Sequence, residues 1–539
     1  MMRITLFSLS VLGASAYVWP SPKLDALESL RFNQDGHNSG AITVFIEPCG
    51  RYLFDGPNVL NSKTGRSDVA DWVRTAYHDM ATHNVADGTG GLDASIRFAE
   101  ESLRAENIGD GFNNTFQALR TIANRYVSLA DSLALGTIVA IENCGGPEIA
   151  FRGGRVDATE PNAPGVPEPQ QDLDSHIAAF ARQGFTQTEM ISLVACGHTF
   201  GGVQHAAFPD TVPEINDPNN TQSAAHFDST FTHFDNNVAI EYMSDTTQNP
   251  LVVGLNDTTN SDKRIFGSDG NVTMKSFADS PELFVSTCAD LIARMLDTVP
   301  REVELTEIIT PLRVKPQGIV LSLAGDTLKL SGEVRLWNTT ADPQRTVRLL
   351  WDDHLGGTGN ATLTASGVSS AVAGRYNASW YTFSPDPTNP PDGLVLLLNA
   401  SAGITSMRFV VDGTLEDQGG VGFAVQDGVV YSETSCSISQ ASPSPWRMDV
   451  AVRDGFNPTR AFLERMSTDS TGRITILETD IARPAQPVAV NADYSIWSIN
   501  VNGTDAVGTV FYSIGYEVDG VKFAGSNTHF SGGLASCAV

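Results

Sequence analysis

The sequence predicts a multidomain protein, mainly α-helical over its first 300 residues and β-sandwich-like behind them. Three observations carry that expectation. At 539 residues the chain exceeds one ordinary core, since domains run to roughly 100–200 residues. Apolar residues recur at helical spacing from about Asp68 to Thr298. After Val299-Pro300 the texture changes to short β-branched runs that alternate with period two, separated by turn residues.

The first element is a leader. Met1-Met2-Arg3 is followed by an apolar run from Ile4 to Ala14 and by Ala14-Ser15-Ala16, the pattern of a secretory signal cleaved before Tyr17. The run is too short to span a bilayer, and no later stretch approaches the roughly 18 residues a transmembrane helix needs, so the expectation is a secreted protein that is not membrane-embedded. Six cysteines suit an exported chain. Sequence does not fix their pairing; Cys49 with Cys144 and Cys436 with Cys537 are the favoured pairs. Nine N-x-S/T sequons, beginning at Asn113, Asn219, Asn256, Asn271, Asn338, Asn360, Asn377, Asn399 and Asn502, point to a glycoprotein. A net charge of −28 argues against nucleic acid or an anionic membrane as partner, because phosphate would be repelled.

The helical part follows. Val69, Trp72, Val73, Ala76, Tyr77 and Met80 mark one helical face, and Ile177, Phe180 and Ala181 another. The intervening stretches from Gly145 to Asp172 and from Pro209 to Ala224 exceed usual loop lengths, which predicts a functional role and a non-protein group to hold them. In the β part, Gly332–Trp337, Thr346–Trp351 and Leu394–Leu398 read as strands. A weak likeness between Val421–Cys436 and Ile514–Cys537 suggests two tandem units split near residue 440. The expected organisation is therefore a leader over 1–16, a helical domain over 17–300, and β-sandwich-like units over 301–440 and 441–539.

Two segments carry chemistry. In Arg74-Thr-Ala-Tyr77-His78-Asp79, Arg74 and His78 stand four apart and project from one helix face, so a cation and a base share a pocket. In Met190–Gly202 a second histidine, His198, sits beside Gly197 near the end of an apolar helix, where an imidazole can ligate haem iron.

Together these segments resemble the plant, fungal and bacterial haem peroxidase superfamily, and most closely the secreted fungal class II enzymes. The likeness covers roughly residues 45 to 298, with Ala130-Asp131-Ser-Leu-Ala-Leu, Gly154-Arg155, Pro167-Glu168-Pro169 and Ser268-Asp269 in the family's order. It implies one haem b with His198 as axial iron ligand, Asp269 as acceptor of that ring's other N–H, and Phe227 packed near it. On the distal side it implies His78 as the base for hydrogen peroxide, its ring held by Asn107 with support from Glu101, and Arg74 as the cation opposite developing negative charge. The implied activity reduces peroxide to water through a ferryl haem radical and oxidises small reducing substrates one electron at a time.

The resemblance also implies two Ca²⁺ ions, for which hard oxygen ligands are suited. The distal set is Asp79, the Gly91 carbonyl, Asp93 and Ser95. The proximal set is Thr199, Asp228, Thr230, the His233 carbonyl and Asp235. Where manganese-oxidising relatives carry three acids, this chain has Ser67, Asp71 and Gln204. Where ligninolytic relatives carry an exposed Trp it has Leu193. Small phenolic or aromatic donors are therefore the expected reductants. The alternative is a haem-binding, calcium-braced adhesion or carbohydrate-binding protein with little or no peroxidase activity, in which Trp337, Trp351, Trp380 and Tyr381 would contact glycan or matrix.

Overall fold

The computed structural model describes residues 17–40, 42–383, 395–438, 445–486, 488–501, 511–524, 529–530 and 534–537. The expected leader, 1–16, lies outside the described residues, as does the proposed division at 440. No described helix is long and apolar enough to cross a membrane.

The helical part is built around the helix Leu129–Asn143, buried along all but its last residue. The helix Asp68–Met80 lies against it, burying Val69, Trp72, Val73, Ala76 and Met80 in the same core. Four-residue spacing on an amphipathic helix thus turns the apolar stripe inward. The helix Gln187–Gly197 opens with a reciprocal capping box between Thr186 and Glu189 and ends at His198. It is bonded to the helix Pro281–Leu296 by the disulfide Cys196–Cys288, while Cys49–Cys144 ties the N-terminal segment to the end of the central helix. The long connection after Cys144 is held by protein groups. Asp157 caps the central helix by accepting the N–H groups of Leu129 and Ala130, and Asp131 accepts those of Gly154 and Arg155.

Behind residue 300 the chain is β-structure. A ten-stranded sheet contains the hairpin Val314–Ala324 and Thr327–Trp337, and two five-stranded sheets accompany it. The first packs around Leu328, Leu330, Val347, Leu349, Met407 and Phe409; the second around Trp446, Met448, Val450, Leu463, Trp497 and Ile514. The large sheet continues across residue 440. The strand Val429–Ser432 runs parallel to Val314–Ala324 and antiparallel to Trp446–Arg453, so both cores draw on one sheet. Cys436–Cys537 closes the second core. Of the aromatic residues considered for sugar stacking, Trp380 and Tyr381 are buried, Trp337 packs edge-on against Phe32, and Trp351 lies over Gly359.

The two parts share the helix Pro22–Phe32. On one side its Arg31 makes a bidentate pair with Glu142 of the central helix at 2.8 and 2.6 Å. On the other its Glu28 lies between Arg335 and Lys315 of the large sheet, with Lys315 Nζ at 2.6 Å. All five side chains are buried. Asp35 and Gly36 then add a short strand to the same sheet, against Ser370 and Ser369.

Candidate active site

A cavity of about 500 Å³ opens between the helices Asp68–Met80 and Gln187–Gly197. His78 lines one wall and His198 another, with Val73, Phe180, Leu193, Phe227, Ile265 and Met295 among the apolar surfaces between them. Both long connections singled out in the sequence contribute, through Pro167–Gln170 and Pro209–Thr211. Apolar walls with a few convergent polar groups are what a bound planar cofactor requires.

On the His78 side, Nδ1 lies 2.8 Å from Asn107 Oδ1, and Asn107 Nδ2 donates to the Glu101 carbonyl at 2.9 Å. Glu101 therefore supports Asn107 through its backbone, not its carboxylate. With Asn107 accepting, Nδ1 carries the hydrogen and Nε2 keeps a free lone pair. Burial, together with the charge of Arg74, pushes the His78 pKa from 6.5 down to about 3, against the opposing effect of the Asn107 bond. The imidazole is consequently neutral at ordinary pH. Arg74 donates to the Ile108 carbonyl at 2.8 Å and lies over the Phe112 ring; burial lowers its pKa to about 10, which leaves it charged. Tyr77, beside His78, stacks on Phe180.

On the other side, Phe227 stacks on the His198 ring at 4.0 Å and 10°. The acceptor of His198 Nδ1 is Asp262, at 2.7 Å, and not Asp269 as the sequence motif implied. Two Ser-Asp pairs stand seven residues apart, at 261–262 and 268–269. The first pair lies on the helix Ser261–Phe266 and faces His198. The second lies beyond it, where Asp269 accepts the N–H groups of Val272 and Thr273 and the Thr273 hydroxyl, capping the next helix.

The geometry also brings in residues that the sequence reading missed. Asn249 donates to Asp262, His176 lines the cavity, and Asn162 enters the distal oxygen cluster. None of the three belongs to a motif read from the sequence, so no local signal marked it.

The two oxygen clusters differ. In the proximal one Thr199 Oγ1 donates to the Asp235 carbonyl at 2.9 Å and lies 3.5 Å from that of His233, while Thr230 Oγ1 lies between Asp228 and Asp235. Asp228 is fully buried, and its Oδ2 has no hydrogen-bond partner. A buried carboxylate oxygen without a donor is costly unless a cation meets it, so this cluster fits a hard cation. In the distal one, Asp79 accepts the N–H groups of Asp93, Ala94 and Ile96. Asn162 Nδ2 lies 2.9 Å from both Asp93 Oδ2 and Ser95 Oγ. With an amide N–H₂ at its centre, the distal set is satisfied without an ion and does not fit one as it stands. Among the described residues no group of three His, Cys, Asp or Glu side chains is placed to hold a metal.

Residues 59–280 match the family model described as peroxidase. The chain is 38% identical over 374 residues to a WSC domain-containing protein of Arthroderma benhamiae, covering 68% of this chain and 50% of that one. Since that alignment is longer than the stretch 59–280, the likeness extends beyond the peroxidase match. It is 35% identical over 129 residues to the peroxisomal L-ascorbate peroxidase 5 of Arabidopsis thaliana, covering 24% and 46% of the two chains. To manganese peroxidase 2 of Phlebia radiata it is 32% identical over 186 residues, covering 33% and 44%. The chain spans about half the length of the curated relatives it matches. With two histidines facing one cavity and these likenesses, the helical half of the chain is a peroxidase domain similar to those of the haem peroxidase superfamily.

Proposed function

We propose that this protein is an exported haem peroxidase that reduces hydrogen peroxide and oxidises small aromatic donors. The observation that carries the reading is the pair of oriented imidazoles: His78 fixed by Asn107 on one wall, His198 fixed by Asp262 on the other. His198 Nε2 would hold the iron of a haem b. When bound, the haem supplies the redox centre that accepts two oxidising equivalents from peroxide and passes them on singly. His78 Nε2, neutral and free, takes a proton from the nearer peroxide oxygen and returns it to the departing one. The Arg74 guanidinium faces the negative charge that builds during that cleavage; removing such a donor typically costs about 10²–10³ in rate.

Manganese is not the reductant in this reading. The one acid at the three expected positions, Asp71, is bonded to Arg66 at 2.9 Å, and Arg66 also engages Asp110 at 2.7 Å. A carboxylate already paired with a guanidinium is a poor ligand for a divalent cation. Calcium is assigned to the proximal cluster, where Asp228 Oδ2 calls for it. The distal cluster is assigned to the Asn162 amide. Export is supported by the leader sequence, by three disulfides and by seven sequon asparagines that are exposed.

The test is spectroscopic and kinetic. Purified protein should show a Soret band that His198→Ala loses, and should oxidise guaiacol or ABTS with peroxide and no added manganese. A wild-type protein that binds no haem, or that turns over only with micromolar Mn²⁺, would overturn the reading.

A further inference from the structure

Asp262 Oδ2 accepts two hydrogen bonds. His198 Nδ1 reaches it at 2.7 Å and Asn249 Nδ2 at 2.8 Å, whereas Oδ1 has a long contact of 3.5 Å from Ser261 Oγ. The orientation of the Asn249 amide is fixed by its other end. Its Oδ1 accepts the Leu251 N–H at 2.8 Å, as the N-cap of the short helix Pro250–Val253, so Nδ2 is the atom left to face Asp262. Asn249 is fully buried, and Phe227, stacked on the imidazole, has no N–H to offer the same carboxylate.

We propose that Asn249 is a positioning residue that sets how much negative charge Asp262 presents to His198, and thereby tunes the imidazole as an iron ligand. The inference rests on the reading of His198 as the axial ligand. A carboxylate oxygen that accepts a second donor has part of its charge neutralised, and becomes a weaker acceptor for the His198 N–H. The ring then has less imidazolate character and donates less to iron, which favours the ferrous state relative to a site with an unshared aspartate. The residue acts through Asp262 and touches neither haem nor substrate.

A purely structural role, capping the Pro250–Val253 helix, is separable from this one. Serine is a good N-cap, but its side chain is too short to reach Asp262. Full-length Asn249→Ser should therefore melt close to wild type. Its ferrous iron–imidazole stretch, read by resonance Raman, should move to higher frequency, and its ferric/ferrous midpoint should become more negative. An unchanged band and midpoint in a folded Asn249→Ser overturns the proposal. Should that variant fail to fold, Asn249→Asp, which keeps shape and cap, carries the test. Its band should move the same way when the new carboxyl is ionised in alkaline solution and return in acid. A band indifferent to pH overturns the proposal. If wild type shows no iron–imidazole band, it is the reading of His198 that fails, which distinguishes the two failures.

Discussion

At the scale of single residues, the site depends on which proton sits where. Because burial and Arg74 hold the His78 pKa near 3, the base stays neutral far below the usual imidazole range. The rate of the first reaction with peroxide should thus be flat from pH 7 to about pH 5 and fall only as the pH approaches 3, measured by stopped-flow absorbance. The sign for stability is opposite in effect. Between pH 6.5 and about 3 the unfolded chain binds a proton that folded His78 refuses, so the fold loses stability across that window. The two aspartates give a second contrast. Asp262→Ala should shift the ferrous iron–imidazole stretch to lower frequency, since the ring loses its acceptor. Asp269→Ala should leave that band in place and cost only a helix cap, about 1 kcal/mol in denaturant unfolding.

At the scale of elements, the proximal helix is positioned from several directions: a capping box at its start, Cys196–Cys288 near its end, and the oxygen cluster that begins at Thr199. Burial, reinforced by the charges of Asp235 and Glu241, raises the Asp228 pKa to about 7. A cation and a proton therefore compete for this carboxyl, and calcium should bind more weakly as the pH falls below 7. Chelation or Asp235→Ala should lower the melting temperature, by the loss of a ligand that binds only the folded state. Elemental analysis should find one calcium per chain, the distal set being held by Asn162. Two would mean that the Asn162 amide turns away to admit a second ion. Both helices carrying the histidines were legible from apolar spacing and motif, because the residues concerned are neighbours on one helix. Asp262 was not, because two Ser-Asp pairs stand seven residues apart and sequence order alone does not tell which one reaches His198.

At the scale of the molecule, the β-rich part is attached to the peroxidase domain by buried charge. Burial would raise the Glu28 pKa, but Arg335 and Lys315 outweigh it and hold it below its usual value. Arg335→Met leaves Glu28 with one cation fewer in a buried interface, and such losses cost about 3–5 kcal/mol. Equilibrium unfolding of the full chain should register a loss of that order. The turn of the Arg460–Thr468 and Ile474–Ile481 hairpin is attached as well, since the Thr471 carbonyl accepts from Arg97, two residues beyond Ser95. By itself the sequence determined the helical and β-rich halves and the segments that carry Arg74, His78 and His198, because periodicity and short motifs are local properties of a chain; Asn107 beside His78 was implied only by the family resemblance. Only the tertiary structure decided that Asp262 partners His198, that Asn249 shares that carboxylate, that Asn162 fills the distal cluster, and that one sheet runs through both β cores. Each of these pairs groups remote in sequence, and hydrogen bonding between buried groups is settled by where packing brings them, not by their spacing along the chain.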